Sequence, residues 1–319
     1  MNTHVKNIGH YRTLVVQLDK LARHNRQGSY RTKDRYYEAM KRLCRFLADE
    51  YHLQKLSNIN GKHLTSYVEY HQDTGKAAST IKTDLAAIRF FHDKMGDAKY
   101  RPPSNGELTV TLERRRFGEV DRTWSDVEFN KMVNTAFVEG RDDYCCAFYL
   151  ARFAGLRIHE VFRLDTAAAE QALHDEAVTV KGQGGKVRTI PIEDERISAG
   201  LRQVLKQTER GHKLFVPDGV PTDRAINALQ LFIIKHRDAI ANEGREANLT
   251  FHGLRHTFAV RKYEALIDGG LSELDAHFAV SRLLGHERAD VTNIYLASVK
   301  KVKAKSTEDE HGKEVSLIR

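Results

Sequence analysis

Cysteine is scarce in this chain: three in 319 residues, at Cys44, Cys145 and Cys146. Two of them are adjacent, a spacing that does not bridge readily, and three thiols make neither a disulfide framework nor a spaced set of metal ligands. A reducing compartment, the cytoplasm, is therefore the expected home. No apolar run reaches bilayer-spanning length, and the opening residues MNTHVKNIGHYR lack the apolar segment of a secretory signal. A membrane protein and a secreted one are both disfavoured. There is no internal repeat and no low-complexity tract, so a repeat array is not expected either.

What remains is the composition of an ordinary globular protein, 41% hydrophobic and 29% charged, with length enough for two domains. The formal charge of +8 is unevenly spread, with 22 Lys and Arg against 13 Asp and Glu over residues 1–120 and 29 against 30 over the rest. A basic front half joined to a near-neutral rear suggests that the front holds a polyanion. A solvated, lysine-rich surface would read the same way, and charge alone does not separate the two.

Residues 30–52 place Tyr36, Met40, Leu43, Phe46 and Leu47 at helical spacing with Lys and Arg on the other face. A second helix is expected from about Asn60. A third, STIKTDLAAIRFFHDKMG, has Ser79 or Thr80 as its cap and Gly96 as its stop. Residues 1–100 thus read as a small, basic, all-helical domain. Residues 101–121, with Pro102, Pro103, Gly106 and the run ERRRFGE, read as a linker. Ser125 and Glu128 form a capping box that opens a new domain near residue 122. That domain is helical except where EAVTVKG and KVRTIPI flank a Gln-Gly-Gly turn, the signature of a β-hairpin. The fold class is therefore mainly α with one small β-hairpin.

Three stretches carry the candidate chemistry. GLRIHE puts Arg157 on what reads as an apolar helix, with Glu160 one turn on, where an unpaired guanidinium would cost too much desolvation. HGLRHTFA sets His252 and Arg255 three apart on one helical face. LLGHERADVTNIY sets Tyr295 nine residues after His286, on a short and largely polar segment. Taken singly, each has a structural reading: an ion pair, a chance His and Arg, a packing tyrosine.

In this order the three resemble the tyrosine recombinase (phage integrase) family over about residues 122–299, and the basic helical front resembles that family's core-binding domain. The resemblance implies a mixed α/β catalytic domain over 122–299, a C-terminal tail at 300–319, and a site-specific DNA recombinase. In it Tyr295 attacks a phosphodiester to form a 3′-phosphotyrosine. Arg157 and Arg255 would neutralise the phosphate. His252 would assist proton transfer, His286 would hydrogen-bond a non-bridging oxygen, and Glu160 would orient Arg157. No acidic cluster suited to Mg²⁺ stands beside these residues in the sequence, in keeping with chemistry that needs no metal and no cofactor.

The implied partners are double-stranded DNA carrying a specific recombination site and further copies of the chain, associating as a tetramer on DNA. Accessory DNA-bending factors are compatible with the reading. The candidate DNA contacts in the front domain are Arg31, Lys33, Arg35, Lys41, Arg42, Lys82 and Arg89. In the tail, Val315, Leu317 and Ile318 are the clustered apolar residues and the expected docking segment.

The family carries a catalytic lysine at the hairpin tip, where this chain has Gln183, and an amide cannot act as a general acid. Strand alternation puts Lys181 on the face of Gln183, which makes it the expected proton donor with Lys186 in reserve. The stretch RKYEALIDGGLSELDAHFAVS is also longer than the family's usual link between Arg255 and His286. Two rival functions remain: a type IB topoisomerase-like enzyme that relaxes DNA, and a catalytically impaired DNA-binding regulator of the same fold.

Overall fold

In the computed structural model, residues 5–112, 120–182 and 185–285 are described. They belong to two compact units, residues 1–116 and 117–319. His286, Tyr295, Gln183 and the tail lie outside the described residues.

The first unit holds α1 (Ile8–Arg23), α2 (Tyr30–Tyr51), a 3-10 turn (Leu56–Asn58), α3 (Gly61–Asp73) and α4 (Ala78–His92). Ser29 starts α2 by accepting the Thr32 N–H, and Asn60 and His63 form a reciprocal cap on α3. Met40, Leu43 and Leu47 are fully buried, as their spacing predicts, against Leu14 and Leu18 of α1, Leu64 and Val68 of α3 and Ile81, Leu85 and Ile88 of α4. Tyr36 is half-buried, edge-on to Phe90. Two details differ from the sequence reading. Helix α1 was not foreseen, although Leu14 and Leu18 are buried and Tyr11, Val15, Leu21 and Ala22 pack beside them at helical spacing, with Ile8 and Val16 facing solvent. Helix α4 begins before Ser79 and Thr80, with Ala77 at the cap position and no side-chain cap. Residues of the stretch read as linker lie against this unit: Leu108, Val110 and Leu112 pack on its core, and the Pro103 carbonyl accepts from Arg89 Nε at 2.9 Å.

A charged cluster lies under these helices. Asp84, on the inward face of α4, is 1% exposed and accepts from Arg42 Nη2 at 2.6 Å, Arg42 Nε at 3.3 Å and the Tyr67 hydroxyl at 2.9 Å. The Lys76 ammonium stands 3.6 Å away. The carboxylate is thereby fully partnered, and it ties α2, α3 and α4 together.

The second unit holds α5 (Asp126–Val138), α6 (Asp142–Phe153), α7 (Ile158–Val161), α8 (Thr166–His174), the strands β1 (Ala177–Lys181) and β2 (Val187–Pro191), then α9 (Glu195–Gln207), α10 (Thr222–Ile240), α11 (Phe251–Asp268) and α12 (Glu273–Leu284). Its first helix opens on the Ser125–Glu128 capping box that the sequence signals. Helix α6 is central, packed on α5, α9 and α11, and eight of its twelve residues are buried. Cys145 and Cys146 are on it, buried and free, and burial pushes the Cys145 thiol up to about 12. These two cysteines are packing residues. Gly200 of α9 lets the helices approach, since a Cβ there would lie 3.2 Å from the Cys146 side chain.

The strands form an antiparallel hairpin with Lys181 opposite Val187 and Val180 opposite Arg188. Val178, Val180 and Ile190 turn into the core, while Thr179 and Thr189 face outward and bond each other at 2.9 Å. The long stretch after Arg255 forms the rest of α11, a Gly269–Gly270 turn and α12. Their contact surface is a separate small core that includes Phe258, Tyr263, Val280 and Leu284.

Replacing Asp84 strands the Arg42 and Lys76 charges and should destabilise the first unit by about 3 kcal/mol. The sole tryptophan, Trp124, is in the second unit. Denaturation of Asp84→Ala should therefore move the circular-dichroism transition of the first unit and leave the Trp124 fluorescence transition in place. A loss below 1 kcal/mol would mean the cluster is effectively solvated.

Candidate active site

Helix α6 ends at Gly155, whose φ of +64° reverses the chain. No side chain fits there, because a Cβ would lie 2.4 Å from the Phe258 ring. The turn delivers Arg157 in extended conformation, φ −73° and ψ 151°, as the cap residue of α7. The expectation that Arg157 lies within a helix is thus corrected: a left-handed glycine two residues earlier has already ended it. The Arg157 N–H donates to Glu160 Oε2 at 2.7 Å and its Nη1 to Oε1 at 3.1 Å. Arg157 keeps a quarter of its side chain exposed while Glu160 is sealed.

A second guanidinium, from Arg188 on β2, meets the same carboxylate fork-on-fork, Nη1 to Oε1 and Nη2 to Oε2, both at 2.7 Å. Burial alone would push the Glu160 carboxyl up. Hydrogen bonds from Arg188 and the Arg157 N–H, with the charges of Arg188 and Arg255, outweigh it and hold the pKa at about 2. Sequence reasoning missed Arg188; its signal was a guanidinium inside VRTIPI on the strand's inward register.

Arg255 comes from α11, whose first turn is capped by Thr250 accepting the Gly253 N–H. It is fully buried, donating through Nη1 to the Gly155 carbonyl and through Nη2 to the Leu284 carbonyl at 2.5 Å. It therefore joins the glycine turn that presents Arg157 to the last turn of α12. One turn earlier, His252 is open to solvent on one side. The protein packed around it, then the charges of Arg255, Arg157 and Arg122, bring its pKa down to about 4. His256, edge-on to it at 5.0 Å, is buried and brought down to about 3 by burial, His252, Arg122 and Arg255. Both imidazoles are neutral near pH 7.

The hairpin closes one side of this group. A Cβ on Gly182 would lie 3.7 Å from Arg188 Nη1 and 3.8 Å from Glu160 Oε1, so that face looks onto the carboxylate. Gly182 donates to the Lys186 carbonyl at 2.6 Å and is its cross-strand partner. Continuing the strand alternation, Lys186 follows Arg188 onto the Glu160 face, whereas Lys181 is exposed on the opposite face with Thr179. Helix α12 ends at Gly285, φ +63°, one residue before His286. Arg157, Glu160, His252 and Arg255 are thus assembled with Arg188.

Of the seven cations singled out in the front unit, several are internally engaged. Arg42 is paired with Asp84, Lys41 bonds Glu38 at 2.9 Å, Arg35 bonds Thr83 at 3.2 Å, and Arg89 is half-buried on Pro103. Lys33 and Lys82 are partly exposed, and Arg31 is exposed at the start of α2. Among the described residues one potential metal-ligand triad occurs, Glu209, His212 and Asp218 on the α9–α10 loop, where His212 already bonds Asp218 at 2.6 Å.

The sequence profile of the phage integrase family matches residues 126–301, more than half of the chain, and that of the phage integrase N-terminal domain matches residues 12–100. The chain belongs to the phage integrase family. Among its curated relatives are the tyrosine recombinase XerD of Halalkalibacterium halodurans, 24% identical over 84% of this chain and 87% of the relative, and the tyrosine recombinase XerC of Natranaerobius thermophilus, 26% identical over 84% and 88%. Among solved structures, a lambda integrase dimer bound to a COC′ core site superposes with a TM-score of 0.65 at 19% identity, covering 88% of this chain and 76% of that one. The Tn1549 transposon integrase with transposon right end DNA superposes at 0.60 and 17% identity, covering 92% and 99%. At these identities the likeness is one of fold. No described helix of the chain is long and apolar enough to cross a membrane.

The depressed histidines predict a pH dependence for the stability of the free protein. In the folded state His252 and His256 titrate near 4 and 3, below the unfolded value near 6.5. Between those limits the unfolded chain binds more protons, so stability rises with pH through the window from about 4 to 6.5. The thermal midpoint should climb between pH 5 and 7, and His256→Gln should flatten the climb. A midpoint that falls over this range would contradict the assignment.

Proposed function

We propose that this protein is a site-specific DNA recombinase of the reducing cytoplasm that cleaves and rejoins double-stranded DNA through a 3′-phosphotyrosine. The observation that carries the reading is the meeting of Arg157 and Arg255 through the Gly155 turn, beside a neutral His252. Three guanidiniums, counting Arg188, face the single carboxylate of Glu160, leaving an excess of two positive charges where a phosphate would enter. That excess suits a phosphorane, whose charge grows as the attacking oxygen adds.

In this reading Tyr295 is the nucleophile. Its oxygen forms a bond to phosphorus as the bond from phosphorus to the 5′ oxygen breaks. Arg157 and Arg255 bind the non-bridging oxygens, assisted by His286. His252, uncharged, takes the phenolic proton. The 5′ oxygen needs a proton in turn, and Lys186, on the face shared with Glu160, supplies it in preference to Lys181. Rejoining is the reverse attack by a 5′ hydroxyl, so the bond is conserved without added energy.

Several relatives are Xer recombinases by name, and a lambda integrase tetramer has been solved on a Holliday junction. By that likeness this chain assembles as a tetramer on two duplexes, with the front unit gripping DNA through Arg31 and Lys33. Cations already paired within the unit, such as Arg42 and Lys41, contribute less. A topoisomerase-like enzyme would share the cleavage chemistry without exchanging strands.

A nicked suicide duplex containing the recombination site tests the reading. Tyr295→Phe should bind DNA normally and form no covalent 3′ adduct; a protease-sensitive adduct from this variant would remove the nucleophile assignment. Arg157→Ala should slow cleavage by about two to three orders of magnitude. Arg157 is a cleaner probe than Arg255, whose loss also strands the Gly155 and Leu284 carbonyls.

The two lysines separate on a scissile phosphate whose leaving 5′ oxygen is replaced by sulfur, which departs without a proton. Lys186→Ala should slow cleavage of ordinary DNA about a hundredfold and be rescued by the sulfur substrate, with Lys181→Ala near wild type on both. The opposite pattern returns the role to Lys181.

A further inference from the structure

We infer that Arg188 is a positioning residue for the cleavage step, acting through Glu160 on Arg157; this rests on the function proposed above. Its guanidinium is nearly enclosed, 10% exposed, and its donors are engaged inside the protein. Nη1 and Nη2 hold the two oxygens of Glu160, and Nε donates to the Leu283 carbonyl at 2.9 Å. The side chain thus spans three segments distant in sequence: the α7 turn that presents Arg157, the hairpin strand, and the last turn of α12.

Each segment is fitted to it. Glu160 meets the backbone N–H and the guanidinium of Arg157, so any rotation of the carboxylate moves that arginine. At Gly285, the residue before His286, a Cβ would lie 3.0 Å from Arg188 Cδ, and the φ of +63° also favours glycine. Gly182 lies over the same guanidinium, with room for a Cβ only at van der Waals distance, 3.7 Å from Nη1. A lysine at 188 keeps the charge but cannot offer a planar fork to the carboxylate and a third N–H to a carbonyl. Arg188 does not reach DNA in this arrangement. It fixes the orientation of the group that does.

The test is a kinetic cycle on the full chain with the suicide duplex: wild type, Arg188→Lys, Arg157→Lys and the double variant, with DNA affinity and its salt dependence measured alongside. Arg188→Lys should slow cleavage about 30- to 100-fold, the scale on which small misplacements of a reacting group act. DNA affinity should stay within about twofold, with an unchanged salt slope. In the Arg157→Lys background the same change should cost about threefold or less, because the group it positions is already altered. Rates are read well below the lowest thermal midpoint of the four proteins, so the ratio between backgrounds decides even if Arg188→Lys is less stable.

An equal loss in both backgrounds makes Arg188 a general structural residue, and wild-type cleavage by Arg188→Lys removes its role altogether. A weakened affinity with a shallower salt slope makes it a phosphate contact instead. Each of these overturns the inference. A wild-type protein that forms no covalent adduct at all would instead overturn the proposed function.

Discussion

The site depends on a single buried carboxylate. Glu160 has no solvent to share its charge and accepts from the Arg157 N–H, the Arg157 guanidinium and both Nη atoms of Arg188. Burying an ion costs several kcal/mol unless its hydrogen bonds are met, and here they are met by groups from two different elements. The pairing is therefore conditional on the hairpin and α7 being in register. One carboxylate cannot balance Arg157, Arg188 and Arg255 together, so part of the guanidinium charge is held by backbone carbonyls at Gly155, Leu283 and Leu284. Carbonyl dipoles orient a cation without neutralising it. The result is an oriented positive site whose countercharge is supplied by whatever anion binds.

The neutral histidines belong to the same electrostatic balance. His252 stands beside Arg255, Arg157 and Arg122, and a proton on it would add to an existing excess of positive charge. The arginines therefore keep the imidazole in the form that can accept a proton. An entering phosphate reverses part of that penalty, so in the proposed reaction the substrate itself makes His252 more basic. His256, deeper and lower still, supports the His252 ring without competing for the proton.

Much of this was legible in the sequence because it is local. The capping box at Ser125, the β-branched hairpin and the helical stripe of α2 are each written within a few residues and each formed. The motif residues Arg157, Glu160, His252 and Arg255 could be named for the same reason. What could not be read was their mutual support. Arg157 appeared to lie on a helix because the reversal at Gly155 is enforced by Phe258, more than a hundred residues away. Arg188 looked like an ordinary strand cation because its partner Glu160 is 28 residues distant and its other partner, Leu283, is 95. Helix α1 is a different case: Tyr11, Leu14, Val15, Leu18 and Leu21 stand at helical spacing and pack on the core, a local stripe that went unread. The two failures at the site share a cause: each depends on a contact between segments that no local pattern encodes.

The front unit shows the same limit in its charges. A count of cations gives a basic domain, yet Arg42 and Lys76 spend their charge on Asp84, and Arg89 is turned onto the Pro103 carbonyl. Such residues still contribute to the long-range field, but their side chains are held by the protein and are poor candidates for gripping a phosphate. A pair also has little net charge at a distance, so Arg42 with Asp84 steers DNA far less than a free arginine would. The surface proposed to bind a polyanion is therefore smaller than the net charge suggests. In the proposed function it is made by cations that the fold leaves facing solvent, such as Arg31 at the open start of α2. Around Glu160 the logic is inverted: Arg157, Arg188 and Arg255 cluster about a single carboxylate. In the proposed function the division of labour follows from that contrast, with diffuse and screened attraction at the front and a small desolvated excess of charge at the rear, where one phosphate would be distorted.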